Sequence, residues 1–229
     1  VDGRFSMEIP KQFVNVNNRP IIVYTMEIFS GFILILTKSL SYVWKDGQEM
    51  VRVYAKQFNI TKLKAVLPGG KNAQESTYRG LSYLKDHLGE GDVVVVHDSI
   101  RPMVSQEIIT DSIHTCRKKG MGIAATFVMD AIIHSQNGVD GDRYINRDEL
   151  KKVQTPQAFD FELLWNIHNR AIETGCCGSW DNSSLLTKMG EKVYFSKGSD
   201  LNLKINTMED VEMFRALYRM YHPETEDQE

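Results

Sequence analysis

Val93, Val94, Val95 and Val96 run together and are followed at once by His97-Asp98-Ser99-Ile100-Arg101-Pro102. Four β-branched residues in a row favour a strand. Apolar on both faces, such a strand fits the centre of a parallel α/β sheet. Pro102 then stops the extended run, leaving an aspartate and an arginine just beyond the strand's carboxyl end. Open α/β sheets bind their ligands there. Asp98 and Arg101 are therefore candidates for a site, with a purely structural ion pair as the equal alternative.

The 229-residue chain leaves room for a full α/β core. Its 27 basic and 30 acidic residues nearly cancel, which argues against a nucleic-acid or anionic-membrane partner. The longest uninterrupted apolar run, residues 32–36, is strand-sized, against the roughly 20 residues a membrane helix needs. Cys116, Cys176 and Cys177 form neither a disulfide framework nor a paired zinc motif. With no secretion-signal pattern at the start, a cytoplasmic protein is expected.

Helical and extended patterns alternate along the chain. Residues 20–29 read as a short helix opening at Pro20, 32–37 as a strand, and 40–59 as a helix interrupted at Gly47. A strand over 62–67 ends in Pro68-Gly69-Gly70, a helix covers 73–88, and the valine strand follows. Residues 106–119 are helical, with Ser105 as N-cap and Gly120 as stop. A strand at 122–128 completes the series, and strand–helix alternation of this kind implies βαβ units and a mainly parallel sheet. Residues 131–152 break the rhythm: polar, with Asn137-Gly138 and Asp140-Gly141 turn signals, they read as a hairpin-type arm without its own core. A helix at 161–173, a strand at 192–196 and a helix at 208–220 follow, and the acidic tail 223–229 is expected to fray.

Several short runs carry chemistry. Arg4 and Lys11 sit seven positions apart on a loop containing Gly3 and Pro10 and can converge on a polyphosphate. Pro68-Gly69-Gly70-Lys71-Asn72 lies between a strand and a helix, where glycines admit a nucleotide and the helix start favours an anion. The frames of a P-loop and of a dinucleotide-binding glycine motif are both absent. Gln154-Thr155-Pro156-Gln157-Ala158-Phe159 reads as a polar loop, and Lys204 sits within a short strand, 202–206. His97 reads as a hydrogen-bonded core histidine, and the six histidines show no metal-ligand spacing.

Taken in series, Pro-Lys-Gln-Phe, Gly-Gly before a helix with Ser76, His-Asp-Ser-Ile-Arg-Pro, Gln-Thr-Pro-Gln-Ala-Phe and Asn-Leu-Lys-Ile closely resemble the cytidylyltransferases that activate polyol phosphates. These act on 2-C-methyl-D-erythritol 4-phosphate or ribitol 5-phosphate, and the resemblance runs from Gly3 to about Leu217. It implies a Rossmann-like α/β nucleotidyltransferase fold over residues 1–229: a mainly parallel twisted sheet flanked by helices, with a protruding β-arm. It implies CTP and a polyol phosphate as substrates, Mg²⁺ as cofactor, and a homodimer built through the arm at 131–152.

Residue by residue, the resemblance makes Arg4 and Lys11 the catalytic pair. Gly3, Gly69, Gly70, Ser76, Asp98 and Ser99 fall to CTP, with Asp98 also beside the metal. Arg147, Thr155 and Lys204 fall to the polyol phosphate, and Arg101 supports the Asp98 turn. The chain also departs from the family pattern. The family opens with a strand and a glycine-rich turn ahead of the arginine, so further residues are expected upstream of Val1, and Asp2 and Ala73 replace a usual glycine and arginine. Ala131 and Trp180 stand where threonines are usual. The Ser99-Ile100 pair resembles the ribitol-phosphate branch more than the methylerythritol branch. The alternatives are a nucleotidyltransferase of this fold acting on another sugar phosphate, or a catalytically dead nucleotide-binding homologue.

Overall fold

The computed structural model describes residues 9–32, 34–38 and 47–223. Its first half holds a 3-10 turn (Lys11–Phe13), strands β1 (Asn15–Val16) and β2 (Arg19–Pro20), helix α1 (Ile21–Ile28), strand β3 (Leu34–Lys38), helix α2 (Gly47–Gln57) and strand β4 (Leu63–Pro68). Helix α3 (Ala73–Leu84), strand β5 (Val93–Val96), helix α4 (Gln106–Lys119) and strand β6 (Met121–Phe127) follow. A hairpin of β7 (Ile132–His134) and β8 (Arg143–Ile145) leads through a 3-10 turn (Arg147–Glu149) into the long strand β9 (Lys151–Asp160). Helices α5 (Phe161–Glu173) and α6 (Asn182–Lys188), strand β10 (Phe195–Lys197) and helix α7 (Met208–Tyr221) complete the chain. None of the described helices is long and apolar enough to cross a membrane.

Local chemistry explains the element ends. Ser105 accepts a hydrogen bond from the Ile108 amide at the start of α4, and Gly120 ends it in the left-handed region at φ 82°. Thr207 and Asp210 form a reciprocal capping box on α7. Gly47, expected to interrupt a helix, instead opens α2, and residues 40–46 of that expected helix lie outside the described residues. Helix α6 was not foreseen, because seven residues carry too short an apolar period to stand out.

The largest described sheet runs β10-β6-β9-β5, and β3 pairs with β4. The β10·β6 and β3·β4 pairs are parallel, as the strand–helix alternation predicts. Strand β9 runs antiparallel to both its neighbours. Residues 154–159, expected as a loop, are thus an inner strand, and the valine strand has an antiparallel partner, with Val93 opposite Asp160 and Val96 opposite Gln157. Polarity misled because Gln154, Thr155 and Gln157 are all buried and all hydrogen-bonded. The four valines are half-buried rather than fully buried, since β5 pairs with no second strand among the described residues. The expected strand at 202–206 is irregular chain instead.

Alternate residues of β6 serve opposite faces. Ile123 packs with Phe159, Phe161, Leu164, Leu185 and Leu186 beneath α5 and α6. Ala124 packs with Phe29, Ile108 and Ile109 beneath α4. Helix α4 comes so close to β6 that a Cβ on Gly122 would meet the Ser112 carbonyl oxygen at 2.2 Å. Ser112 Oγ donates to the Gly122 carbonyl at 2.6 Å there, which fixes the approach. Helix α7 covers α1 through Phe214, whose ring meets Tyr24 edge-on at 5.2 Å.

Two outcomes follow for stability. Phe159 is fully buried at the centre of the sheet, so Phe159→Ala should cost about 3–5 kcal/mol in a urea titration. His168 on α5 is buried against Asn182 Oδ1 at 3.0 Å, and burial holds its pKa below the ordinary value. The unfolded chain takes up that proton near pH 6.5 while the fold does not, so stability should decline as pH falls below that value. His168→Gln, neutral throughout, should flatten part of this decline between about pH 6.5 and 5; an unchanged slope would show that His168 is not its source.

Candidate active site

The carboxyl end of β5 is where the predicted residues gather. Asp98 follows the strand after His97, and its amide donates to Thr155 Oγ1 on β9 at 3.0 Å. The Thr155–Pro156 peptide is cis. The chain then turns, the Arg101 amide donating to the Asp98 carbonyl at 3.1 Å. This folds the Arg101 side chain back, so that Nε meets Asp98 Oδ2 at 3.2 Å. Lys204 Nζ reaches the same oxygen at 3.0 Å. Burial alone would raise the Asp98 pKa, but Lys204 and Arg101 outweigh it and hold the group below the ordinary carboxylate value. The cluster therefore carries one negative and two positive charges near neutrality, a net attraction for an anion. Arg101 is buried, whereas the Lys204 side chain is 41 % exposed and is the cation open to a ligand.

Sequence reasoning passed over the residues that weld this cluster. Asn202, buried, accepts Arg101 Nη1 on its carbonyl at 2.7 Å. Its side-chain amide donates to the Thr155 carbonyl at 2.8 Å and to Gln154 Oε1 at 3.3 Å. Gln154 Nε2 in turn donates to the Ser199 carbonyl at 2.8 Å. Three distant segments, 98–101, 154–155 and 199–204, are thereby fixed together. The signal lies in the density of amide side chains in the runs 154–159 and 202–206.

His97 takes the core role expected of it, its Nε2 lying 3.2 Å from the Arg101 carbonyl and its ring against Phe29. Burial pushes its pKa down to about 4, so it is neutral at physiological pH. Ser99 contributes its carbonyl, which accepts from Thr25 Oγ1 at 3.0 Å and ties the turn to α1.

The glycine turn lies between β4 and α3. Asn72 caps α3 by accepting from the Glu75 amide at 2.8 Å. Ser76 Oγ accepts from the Gly70 amide and donates to the Asn72 carbonyl, both at 2.9 Å. A Cβ on Gly70 would sit 2.3 Å from Glu75 Cβ, so only glycine fits. Glu75 receives the Lys71 amide at 2.7 Å and pairs with Arg79, which lowers its pKa, and Arg79 Nη1 donates to the Gly69 carbonyl at 2.8 Å. The turn is thus preformed, with Ser76 as its internal brace.

Lys11 is on the first 3-10 turn, beside buried Phe13. Gly3 and Arg4 lie outside the described residues. Arg147 is at the base of the hairpin arm, exposed, its Nη1 donating to the Met129 carbonyl. No described contact joins it to the Asp98 cluster of its own chain. The arm pairs Ile132 with Ile145 and His134 with Arg143. It leaves Ile133, Val139 and Tyr144 exposed. No group of three or more acidic, histidine or cysteine side chains able to hold a metal occurs among the described residues. Asp98 is a lone carboxylate, with Oδ2 held by cations and no hydrogen bond to Oδ1 among the described residues.

The likeness to known proteins extends over the same ground. The family model described as IspD, 2-C-methyl-D-erythritol 4-phosphate cytidylyltransferase, matches residues 2–219. A ribitol-5-phosphate cytidylyltransferase of Lacticaseibacillus paracasei is 35% identical over 222 residues, spanning 96% of this chain and 94% of that protein. A 2-C-methyl-D-erythritol 4-phosphate cytidylyltransferase of Clostridium novyi is 32% identical, spanning 93% of this chain and 90% of that one. Among solved structures, a 4-diphosphocytidyl-2C-methyl-D-erythritol synthase of Anaerococcus prevotii superposes with a TM-score of 0.75 at 26% identity, covering 91% of this chain and 93% of that one. With its sheet, its charged strand end and its preformed glycine turn, the chain belongs to the IspD family of cytidylyltransferases.

Proposed function

We propose that this protein transfers CMP from CTP to a polyol phosphate, D-ribitol 5-phosphate or 2-C-methyl-D-erythritol 4-phosphate, releasing pyrophosphate. The observation that carries the reading is the Asp98–Arg101–Lys204 cluster, net cationic and braced by Thr155, at the carboxyl end of β5. In this reaction an oxygen of the acceptor phosphate forms a bond to the α-phosphorus of CTP, and the bond from that phosphorus to the bridging oxygen of pyrophosphate breaks. Two anions must meet, so the protein's task is positioning and charge neutralisation. Arg4 and Lys11 are assigned to the α-phosphate and the leaving pyrophosphate, and Lys204 and Thr155 to the acceptor phosphate. The turn at Gly69, Gly70 and Ser76 borders the nucleotide, as do Asp98 and Ser99.

Mg²⁺ fits this donor set in one way. It commonly binds through one or two carboxylates together with substrate phosphates, and Asp98 offers one carboxylate. When bound, the ion neutralises triphosphate charge. The arm suits a homodimer in which Arg147 serves the partner's acceptor site, since it meets no acceptor-site residue described in its own chain and carries exposed apolar side chains. A cytoplasmic enzyme is the corresponding setting. Ribitol 5-phosphate is the favoured acceptor, supported by Ser99-Ile100 and by the name of the 35% identical relative.

The test is pyrophosphate release from CTP and Mg²⁺ with each polyol phosphate supplied separately. Turnover with one or both is expected, and silence with both would overturn the assignment. Lys11→Ala should lower kcat about a hundredfold with thermal stability retained, and full activity would remove Lys11 from the transition state. Arg147→Ala should raise KM for the polyol phosphate about tenfold with KM for CTP unchanged; equal changes in both would remove the arm from acceptor binding.

A further inference from the structure

Lys204 carries the exposed charge of the Asp98 cluster, yet its backbone is irregular chain, outside any helix or strand. Two anchors fix the segment instead. One residue after the lysine, the Ile205 amide donates to the Ile100 carbonyl at 2.9 Å, and Ile205 is fully buried. Two residues before it, Asn202 is also buried and bonds in three directions. Its backbone amide donates to the Ser199 carbonyl at 3.0 Å, and its carbonyl accepts Arg101 Nη1 at 2.7 Å. Its side-chain Nδ2 donates to the Thr155 carbonyl at 2.8 Å and to Gln154 Oε1 at 3.3 Å.

The partners also dictate which way the Asn202 side chain points. Gln154 Oε1 accepts the Ser199 amide at 3.2 Å while Gln154 Nε2 donates to the Ser199 carbonyl, so an oxygen faces Asn202 from that side. Thr155 offers a carbonyl. Two acceptors require the Asn202 nitrogen to face them. Asn202 Oδ1 is left buried, with no hydrogen-bond partner among the described residues. A buried acceptor without a donor costs stability, and an apolar side chain would avoid that cost. What the amide gives in return is placement. It ties the chain leading to Lys204 onto Thr155, whose hydroxyl takes the Asp98 amide at 3.0 Å.

We propose that Asn202 is a positioning residue, which sets the Lys204 ammonium beside Asp98 and acts on the acceptor phosphate through that lysine. The inference rests on the cytidylyl-transfer reading above. A double-mutant cycle tests it. Lys204→Ala should raise KM for the polyol phosphate about a hundredfold and Asn202→Ala about tenfold, with KM for CTP within about twofold in each. In the Lys204→Ala background, Asn202→Ala should add no more than about twofold. A tenfold rise in both backgrounds, or an equal rise in KM for CTP, would mark a general structural role and overturn the proposal. Asn202→Ser takes the alanine variant's place, with the same deciding outcomes, should the latter not fold.

Placement is read separately in substrate-free crystals of the parent and of the Asn202 variant. Lys204 Nζ should leave Asp98 Oδ2, 3.0 Å away in the parent, while the Ile205–Ile100 bond and the sheet stay as they are. A lysine still seated on Asp98 in the variant would overturn the proposal whatever the kinetics. If the parent turns over no polyol phosphate, the functional reading fails, while the crystals still decide whether Asn202 sets Lys204.

Discussion

One carboxylate oxygen, Asp98 Oδ2, holds Arg101 Nε and Lys204 Nζ at once. A buried guanidinium without partners is costly to fold, and removing a partner from such a pair costs far more than the pair itself gains. Arg101 avoids that cost by dividing its donors between Asp98 and the Asn202 carbonyl. The carbonyl is fixed in turn because Asn202 spends its own amide on Thr155 and Gln154. The result is a closed circuit. Its one cation with substantial exposure, Lys204, is held beside an ionised aspartate rather than free to collapse onto it from any direction. In the proposed reaction such a cluster would neutralise an arriving phosphate without rearrangement, the condition for efficient electrostatic catalysis.

Strand β9 makes the circuit possible. It is inserted antiparallel between β5 and β6, so that Gln157 lies opposite the carboxyl end of β5 and Lys151 opposite that of β6, with Thr155 between them. Thr155 and Gln154 thereby arrive at the site, while Ala158 and Phe159 further along complete the core. One strand anchors the hydrophobic layer at one end and the polar layer at the other. The Gln157–Asp181 bond extends the same logic to α6 and to the loop bearing Trp180.

Periodicity and capping chemistry made most elements legible. Helix α4 lies between Ser105 and Gly120 as its residues require, and α5 spans the positions its apolar spacing indicates. The hairpin arm was legible from its turn residues alone, for Asn137 Oδ1 accepts the Val139 and Asp140 amides across that turn. Strand β9 was not, because period-two reasoning assumes that polar residues point to water, whereas Gln154 and Gln157 are buried, Gln154 bonded to Ser199 and Asn202 and Gln157 to Asp181. Asn202 was hidden for the same reason. Of the site, Asp98, Thr155 and Lys204 were legible as a series of motifs, and their convergence depends on hydrogen bonds between segments about fifty and a hundred residues apart, which no local pattern encodes.

Arg147 poses the complementary problem. Its donor goes to the Met129 carbonyl at the root of the arm, and the arm's Ile133, Val139 and Tyr144 are left in solvent. A two-stranded hairpin is marginal in water without a covered face, so this one gains by packing on another surface. The braced Asp98 cluster has Lys204 as its exposed cation, and on the proposed reading the doubly anionic acceptor phosphate calls for more than one. In the proposed homodimer, a second copy that lays its arm over this chain would satisfy both needs together, covering apolar side chains and bringing the Arg147 guanidinium to the acceptor phosphate. On that proposal the arm's uncovered apolar side chains and the acceptor site's need for a second cation are two sides of one design.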